Sequence, residues 1–140
     1  MNGLKLKIPR ACLEQIESDA RHRQPIEACG VLIGSSSKNG FEVSEIISTP
    51  NELNSPTRFE INPEVLYQVM KRAETKGLDV VGFYHSHFGY GDRPSAIDLE
   101  YMKFVSNMAW LICDLSPKGT RFRAFSLLGG KLVELELVTK

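Results

Sequence analysis

The stretch "DVVGFYHSH", residues 79–87, constrains the fold more than any other part of the chain. Its middle, from Val80 to Tyr84, carries no charge, the pattern of a strand buried on both faces. Such a strand needs cover on either side, so the chain must build a sheet and lay helices against it. A helix stands directly before it. In "INPEVLYQVMKRAETKG", Asn62 is a capping residue, Pro63 suits the first helical position and Gly77 suits the end. Val65, Leu66, Val69, Met70 and Ala73 form its apolar stripe. Two of the three histidines in the chain, His85 and His87, lie at the end of the strand.

The remaining elements fit around that pair. A first helix starts near Pro9, with Cys12, Leu13, Ile16 and Ala20 at helical spacing and Pro25 beyond its end. "EACGVLIG" reads as a buried strand, "GSSSKNG" (34–40) as a turn, and "FEVSEIIST" as the strand returning from it. "NELNSPTRFEI" is irregular. After the histidines, "FGYGDRP" is a loop, and a third helix spans about 95–107 with Ile97, Tyr101, Phe104 and Met108 as its stripe. "AWLICDL", "RFRAFSLL" and "KLVELELV" are strands, the last two joined at Gly129-Gly130, a good hairpin turn. Val133, Leu135 and Leu137 alternate with Glu134 and Glu136, so the last strand has one wet face. The order α-β-β-α-β-α-β-β-β predicts a mixed sheet with packed helices, an α/β or α+β domain.

At 140 residues and 42% hydrophobic content, the chain has room for one compact domain over 1–140. Seventeen basic residues balance seventeen acidic ones, and no long charged run marks a nucleic-acid surface. No apolar run approaches the ~20 residues of a membrane span. The opening "MNGLKLKIPR" is too short and too charged for a secretory signal. Cys12, Cys29 and Cys113 are scattered and odd in number, which predicts a reducing, cytoplasmic setting.

His85 and His87 sit at i and i+2, so their side chains share a strand face with Cα atoms roughly 6.5–7 Å apart. Two imidazoles so placed can converge on one ion, while Ser86 points away. Val81 and Phe83 are expected on the same face as an apolar floor. A catalytic zinc takes three protein ligands and keeps one position open. Asp98 is the best third candidate, because the 88–94 loop with Gly89 and Gly91 can bring the next helix over the strand end. Ser95 and Asp98, three apart, face the same way. The same pair equally reads as a helix cap with an acid in the first turn. Glu27 opens an apolar strand, where a carboxylate is costly without a partner or a task; alone it also reads as an ordinary strand-end residue. His22, between two arginines, reads as a solvated surface residue, and Cys29 as a buried, inert thiol.

Taken together, Glu27, His85-Ser86-His87, the seven residues "FGYGDRP" and Ser95-Ala96-Ile97-Asp98 resemble the JAMM motif of MPN-domain metalloproteases. "EACGVLIG", "SPTRFEINP" and "GFYHSH" are similar to the small single-domain prokaryotic members. Phe88 departs from the proline that many relatives carry after the second histidine, which is expected to alter the loop path and not the ligands. The resemblance implies that His85, His87 and Asp98 hold one zinc ion, that Glu27 is the general acid/base and that Ser95 steadies the oxyanion. It also implies a curved mixed sheet flanked by helices, similar to cytidine deaminases. The deaminase signature of His-x-Glu with Pro-Cys-x-x-Cys is absent.

The implied activity is hydrolysis of a peptide or isopeptide bond after the C-terminal Gly-Gly of a ubiquitin-like or sulfur-carrier β-grasp protein. Residues 89–93 and 54–59 are expected to border a narrow channel for that tail. The chain lacks room for the insertions that hold a second ubiquitin in larger relatives. Two other readings stand beside this one. A non-catalytic MPN scaffold usually lacks some motif residues, whereas all five are present. A structural zinc site needs a fourth ligand, for which Cys29 and Cys113 are the soft candidates.

Overall fold

A computed structural model describes residues 3–139. Met1, Asn2 and Lys140, the extreme ends of the expected 1–140 domain and the first residues of the N-terminal stretch, lie outside it. The elements run β1 (Lys5–Ile8), α1 (Arg10–Arg23), β2 (Cys29–Ser37), β3 (Gly40–Thr49), α2 (Pro63–Thr75), β4 (Asp79–Phe88), α3 (Ala96–Phe104), β5 (Ala109–Ser116), β6 (Gly119–Leu128) and β7 (Lys131–Thr139). The fold is mixed α/β, as expected. β1 was not foreseen. It pairs in parallel with both β3 and β7, so the strand order β1-β3-β2-β4-β5-β6-β7 closes on itself.

Two apolar cores divide the faces of this sheet. One gathers Cys12, Ile16 and Ala20 of α1 with residues from all seven strands, among them Leu6, Leu32, Val43, Tyr84, Leu111, Ala124 and Leu135. The other joins Val31, Phe83, Trp110, Ile112 and Phe125 to Val69 and Ala73 of α2 and Met102 of α3. β4, flanked by antiparallel β2 and parallel β5, is buried from Val81 to His87. This is the doubly covered strand that its composition requires.

Local chemistry sets several boundaries as read. The Asn62 side chain accepts from the amides of Glu64 and Val65, Pro63 begins α2, and Gly77 adopts φ +70° beyond its end. Gly129 and Gly130, at φ +56° and +79°, turn β6 into β7. Phe88 ends β4 in register with Leu115 of β5, continuing a ladder to which proline lacks the amide to donate.

Four local expectations are corrected. The 34–40 turn shrinks to its tip, because Ser35–Ser37 pair with Gly40–Glu42; Gly34 instead sits at a register shift where a Cβ would strike the Glu42 carbonyl. Val81 does not share the face of Phe83. Leu32 pairs with Gly82 and Ile33 with Val80, so the extra residue resets the alternation and sends Val81 into the α1 core. Met70 of α2 is exposed. α3 ends at Phe104 and shows a different face from the one its apolar residues suggest: Asp98 and Met102 are buried, while Ile97 is exposed and Phe104 is 87% exposed.

Candidate metal centre

The C-terminal end of β4 carries both histidines onto the face covered by α2 and α3. Their Nε2 atoms lie 3.2 Å apart. Asp98 Oδ2 is 3.0 Å from His85 Nε2 and 3.1 Å from His87 Nε2. All three residues are buried. Asp98 gets there through the start of α3, where Ser95 Oγ accepts from the Asp98 amide at 3.0 Å and the Ser95 amide donates to Asp98 Oδ2 at 2.9 Å. The capping box and the inward carboxylate are therefore one arrangement, and the two readings of this turn coexist. It also turns α3 so that Asp98 faces inward, at the expense of Ile97 and Phe104.

The donor set fits a divalent metal ion. A tetrahedral ion with bonds of about 2.0–2.1 Å has ligand atoms about 3.3–3.4 Å apart, close to the three separations here. His87 Nδ1 donates to the Gly91 carbonyl at 2.8 Å, which leaves Nε2 with its lone pair in the neutral ring. Protonation follows the same geometry. Burial opposes the charged form of Asp98, but the imidazoles of His85 and His87 hold its carboxyl far below the usual range. Burial likewise opposes a charged His87, yet the Asp98 carboxylate and the Gly91 carbonyl raise it. Among the described residues this donor cluster contains His85, His87 and Asp98. Neither Cys29 nor Cys113 joins it. Cys29 Sγ faces Thr49 and the Pro50 carbonyl, and burial raises its thiol. Cys113 lies in the α1 core, with its thiol pushed up to about 12 by burial.

Glu27 sits just before β2 and is fully buried. Its amide donates to the Ser55 carbonyl at 2.9 Å, and its carbonyl accepts from Asn51 Nδ2 at 3.0 Å. Beside it, the Ala28 amide donates to Ser86 Oγ at 2.8 Å, so the serine between the histidines ties this segment to β4 from the opposite face. Glu27 Oε1 has no hydrogen-bond partner among the described residues. Burial raises the Glu27 carboxyl above its ordinary value; the His85 charge and a Tyr90 hydrogen bond offset that only in part. A buried carboxylate with one free oxygen and raised basicity is suited to carrying a proton.

Three contributors were given no role of their own from the sequence, although Phe59 and Tyr90 lie in the two segments expected to border the channel. Phe59 stacks on His85 at 4.9 Å between centroids. Tyr90 stacks on His87 at 4.3 Å. Asn51 binds the carbonyls of Glu27 and Arg58 and accepts from the amides of Leu53 and Glu60, so it organises the irregular segment after β3. Each left a signal: an aromatic residue in a polar segment, an aromatic residue between two glycines, and an Asx-turn residue after proline. His22 is exposed and bonds to the Ser18 carbonyl, apart from the centre.

The model of the family described as prokaryotic homologs of the JAB domain matches residues 9–127. A desampylase from Pyrococcus furiosus is 34% identical over 94% of this chain and 85% of its own length. A desampylase from Haloferax volcanii is 31% identical over the full length of both. A probable TtuB-protein conjugate cleaving protease from Thermus thermophilus is 32% identical over 71% of this chain and 64% of its own. Among solved structures, a protein from Desulfitobacterium hafniense is similar with a TM-score of 0.85 and 26% identity, covering 96% of this chain and 92% of that one. The JAMM pattern on β4 and α3 and these matches agree, and the chain belongs to the prokaryotic JAB-domain branch of the JAMM/MPN family.

Proposed function

We propose that this protein is a zinc metallopeptidase. In this reading it hydrolyses the peptide or isopeptide bond after the C-terminal Gly-Gly of a ubiquitin-like or sulfur-carrier β-grasp protein. The observation that carries this reading is the convergence of His85, His87 and Asp98 within 3.0–3.2 Å of one another beside a buried Glu27. The names of the desampylases and of the TtuB-conjugate protease support the substrate class. The reading takes residues 1–140 as one catalytic domain with a deaminase-like sheet, working in the cytoplasm on a protein partner. No helix among the described residues is long and apolar enough to cross a membrane.

In this reading His85, His87 and Asp98 hold one zinc ion per chain. Zinc bound there supplies a Lewis acid that polarises the scissile carbonyl and acidifies the attacking water. Glu27 takes the proton of that water and returns it to the leaving amine. The Ser95 hydroxyl, whose oxygen accepts from the Asp98 amide, keeps its own proton to donate to the oxyanion of the tetrahedral intermediate. The free amides at the start of α3 favour the same charge. Phe59 and Tyr90 flank the two imidazoles, one from each of the irregular segments 51–61 and 89–93. An extended glycine tail suits a passage between such walls, because a side chain near the cleaved bond would meet them.

The test is hydrolysis of a β-grasp protein whose Gly-Gly terminus is fused to a reporter, compared with a Val-Val terminus. The glycine tail should be cleaved and the valine tail far more slowly. Equal rates reject the channel. No cleavage by zinc-loaded protein of linear or isopeptide-linked Gly-Gly substrates favours a binding scaffold.

A further inference from the structure

Tyr90 touches both halves of the candidate centre. Its hydroxyl donates to Glu27 Oε2 at 2.9 Å. Its ring lies over His87 at 25° between planes. Glu27 Oε1, by contrast, is buried and has no partner among the described residues. A glutamate side chain turns about three bonds, and a carboxylate anchored at neither oxygen would sample several directions. Anchoring one oxygen from a fixed phenol sets the direction of the other.

We infer that Tyr90 is the positioning residue for the general base: it holds Glu27 Oε2 and leaves Oε1 as the atom that exchanges the proton. The inference rests on the role given to Glu27 above. The donor on Oε2 disfavours protonation of that oxygen, so a proton taken from water settles on Oε1 and leaves from Oε1.

The loop is built to hold the phenol in this place. Gly89 and Gly91 adopt φ +81° and +105°, which side-chain-bearing residues rarely adopt, and they turn the chain on both sides of Tyr90. The Gly89 amide donates to Asp114 Oδ1 at 3.1 Å. The Gly91 carbonyl accepts from His87 Nδ1 at 2.8 Å. Asp92 pairs with Arg123 at 3.4 Å. The turn is thus tied to β5, β4 and β6 at once, and one tight bend orients an imidazole of the donor set and the base together. Tyr90 remains 46% exposed, so its ring also forms part of the rim that a substrate tail passes.

Tyr90→Phe keeps the ring and its stack and removes the hydroxyl alone. With the Gly-Gly reporter fusion, kcat should fall about 10–100-fold, the range spanned by a hydrogen bond to a charged group. KM and zinc content should stay at wild-type values, and the thermal midpoint should fall by no more than the loss of one hydrogen bond to a buried carboxylate. A packing role would instead raise KM or loosen zinc, and that pattern overturns the inference. Glu27→Gln, measured beside it, separates the two readings. A wild-type kcat for Tyr90→Phe next to an inactive Glu27→Gln overturns the role of Tyr90 alone. A wild-type kcat for Glu27→Gln overturns the role of Glu27, and that of Tyr90 with it.

Discussion

His87 Nδ1 donates to the carbonyl of Gly91, four residues on, at 2.8 Å. That one bond orients the ring and, in its neutral form, leaves Nε2 with a lone pair beside His85 Nε2 and Asp98 Oδ2. The loop after β4 therefore sets the direction of one of the three clustered donors.

The purified protein should carry about one zinc per chain, and a strong chelator should lower its thermal midpoint. An ion held at 100 times its dissociation constant stabilises by about 2.7 kcal/mol. His87→Ala leaves two donors and should lose most of the metal. Elemental analysis after dialysis decides, and stoichiometric zinc in that variant rejects the ligand assignment.

Glu27 should carry a stability cost that depends on pH. Burial raises its carboxyl, with the His85 charge and the Tyr90 hydrogen bond offsetting only part of that. A folded-state value above the unfolded one means that the protonated form favours folding. That contribution is complete below the unfolded value of about 4.3 and is lost as pH rises through the folded value. In metal-free protein, Glu27→Gln should therefore unfold at a higher temperature than wild type at about pH 8. The gap should close towards about pH 4. Calorimetry of both proteins at the two pH values checks the sign; a Gln variant less stable at pH 8 contradicts it.

Ser95→Ala should separate two roles of one hydroxyl. Losing the acceptor for the Asp98 amide costs about 1 kcal/mol of stability. Losing a donor to the oxyanion costs roughly 10²–10³ in rate. Urea unfolding and kcat measured on the same sample distinguish them. A stability loss with an unchanged rate would leave Ser95 as a cap only.

Asn51→Ala should be among the more damaging single changes away from the donor set. Its side chain is 5% exposed and holds the carbonyls of Glu27 and Arg58 and the amides of Leu53 and Glu60. Removing it strands several buried backbone groups, at a cost on the order of 2–4 kcal/mol. Activity should fall as well, since the Glu27 amide bond to the Ser55 carbonyl is then left to tie Glu27 to the 52–60 segment. A variant with wild-type stability and rate would show that the segment holds itself.

The candidate centre was legible because its chemistry is written in short spacings. His-x-His on a strand and Ser-x-x-Asp at a helix start each obey local geometry, while their union with Glu27 into one candidate centre came from the resemblance to the JAMM motif. Local geometry likewise governs the cap at Asn62 and the hairpin at Gly129-Gly130, where the dihedral angle required names the residue. Phe88 shows the limit of that logic: its departure from proline was visible, while its place as the last rung beside Leu115 depends on a partner strand.

What the sequence by itself determined is each element whose signal lies within one turn or one strand, together with the donor types and their order. Only the tertiary structure decided the features that need a distant partner. β1 is four residues long, too short to show a period, and it exists because β3 and β7 take its parallel hydrogen bonds. Val81 changed faces because the register with β2 slips by one residue at Gly82, a property of the pair and not of either strand. Ile97 and Phe104 turned outward because the Ser95 cap and the two imidazoles hold Asp98 inward, and the polar contacts at the helix start outweigh the apolar stripe. Tyr90 reached Glu27 across 63 positions of chain, a contact made only when the loop after β4 and the entry to β2 lie side by side.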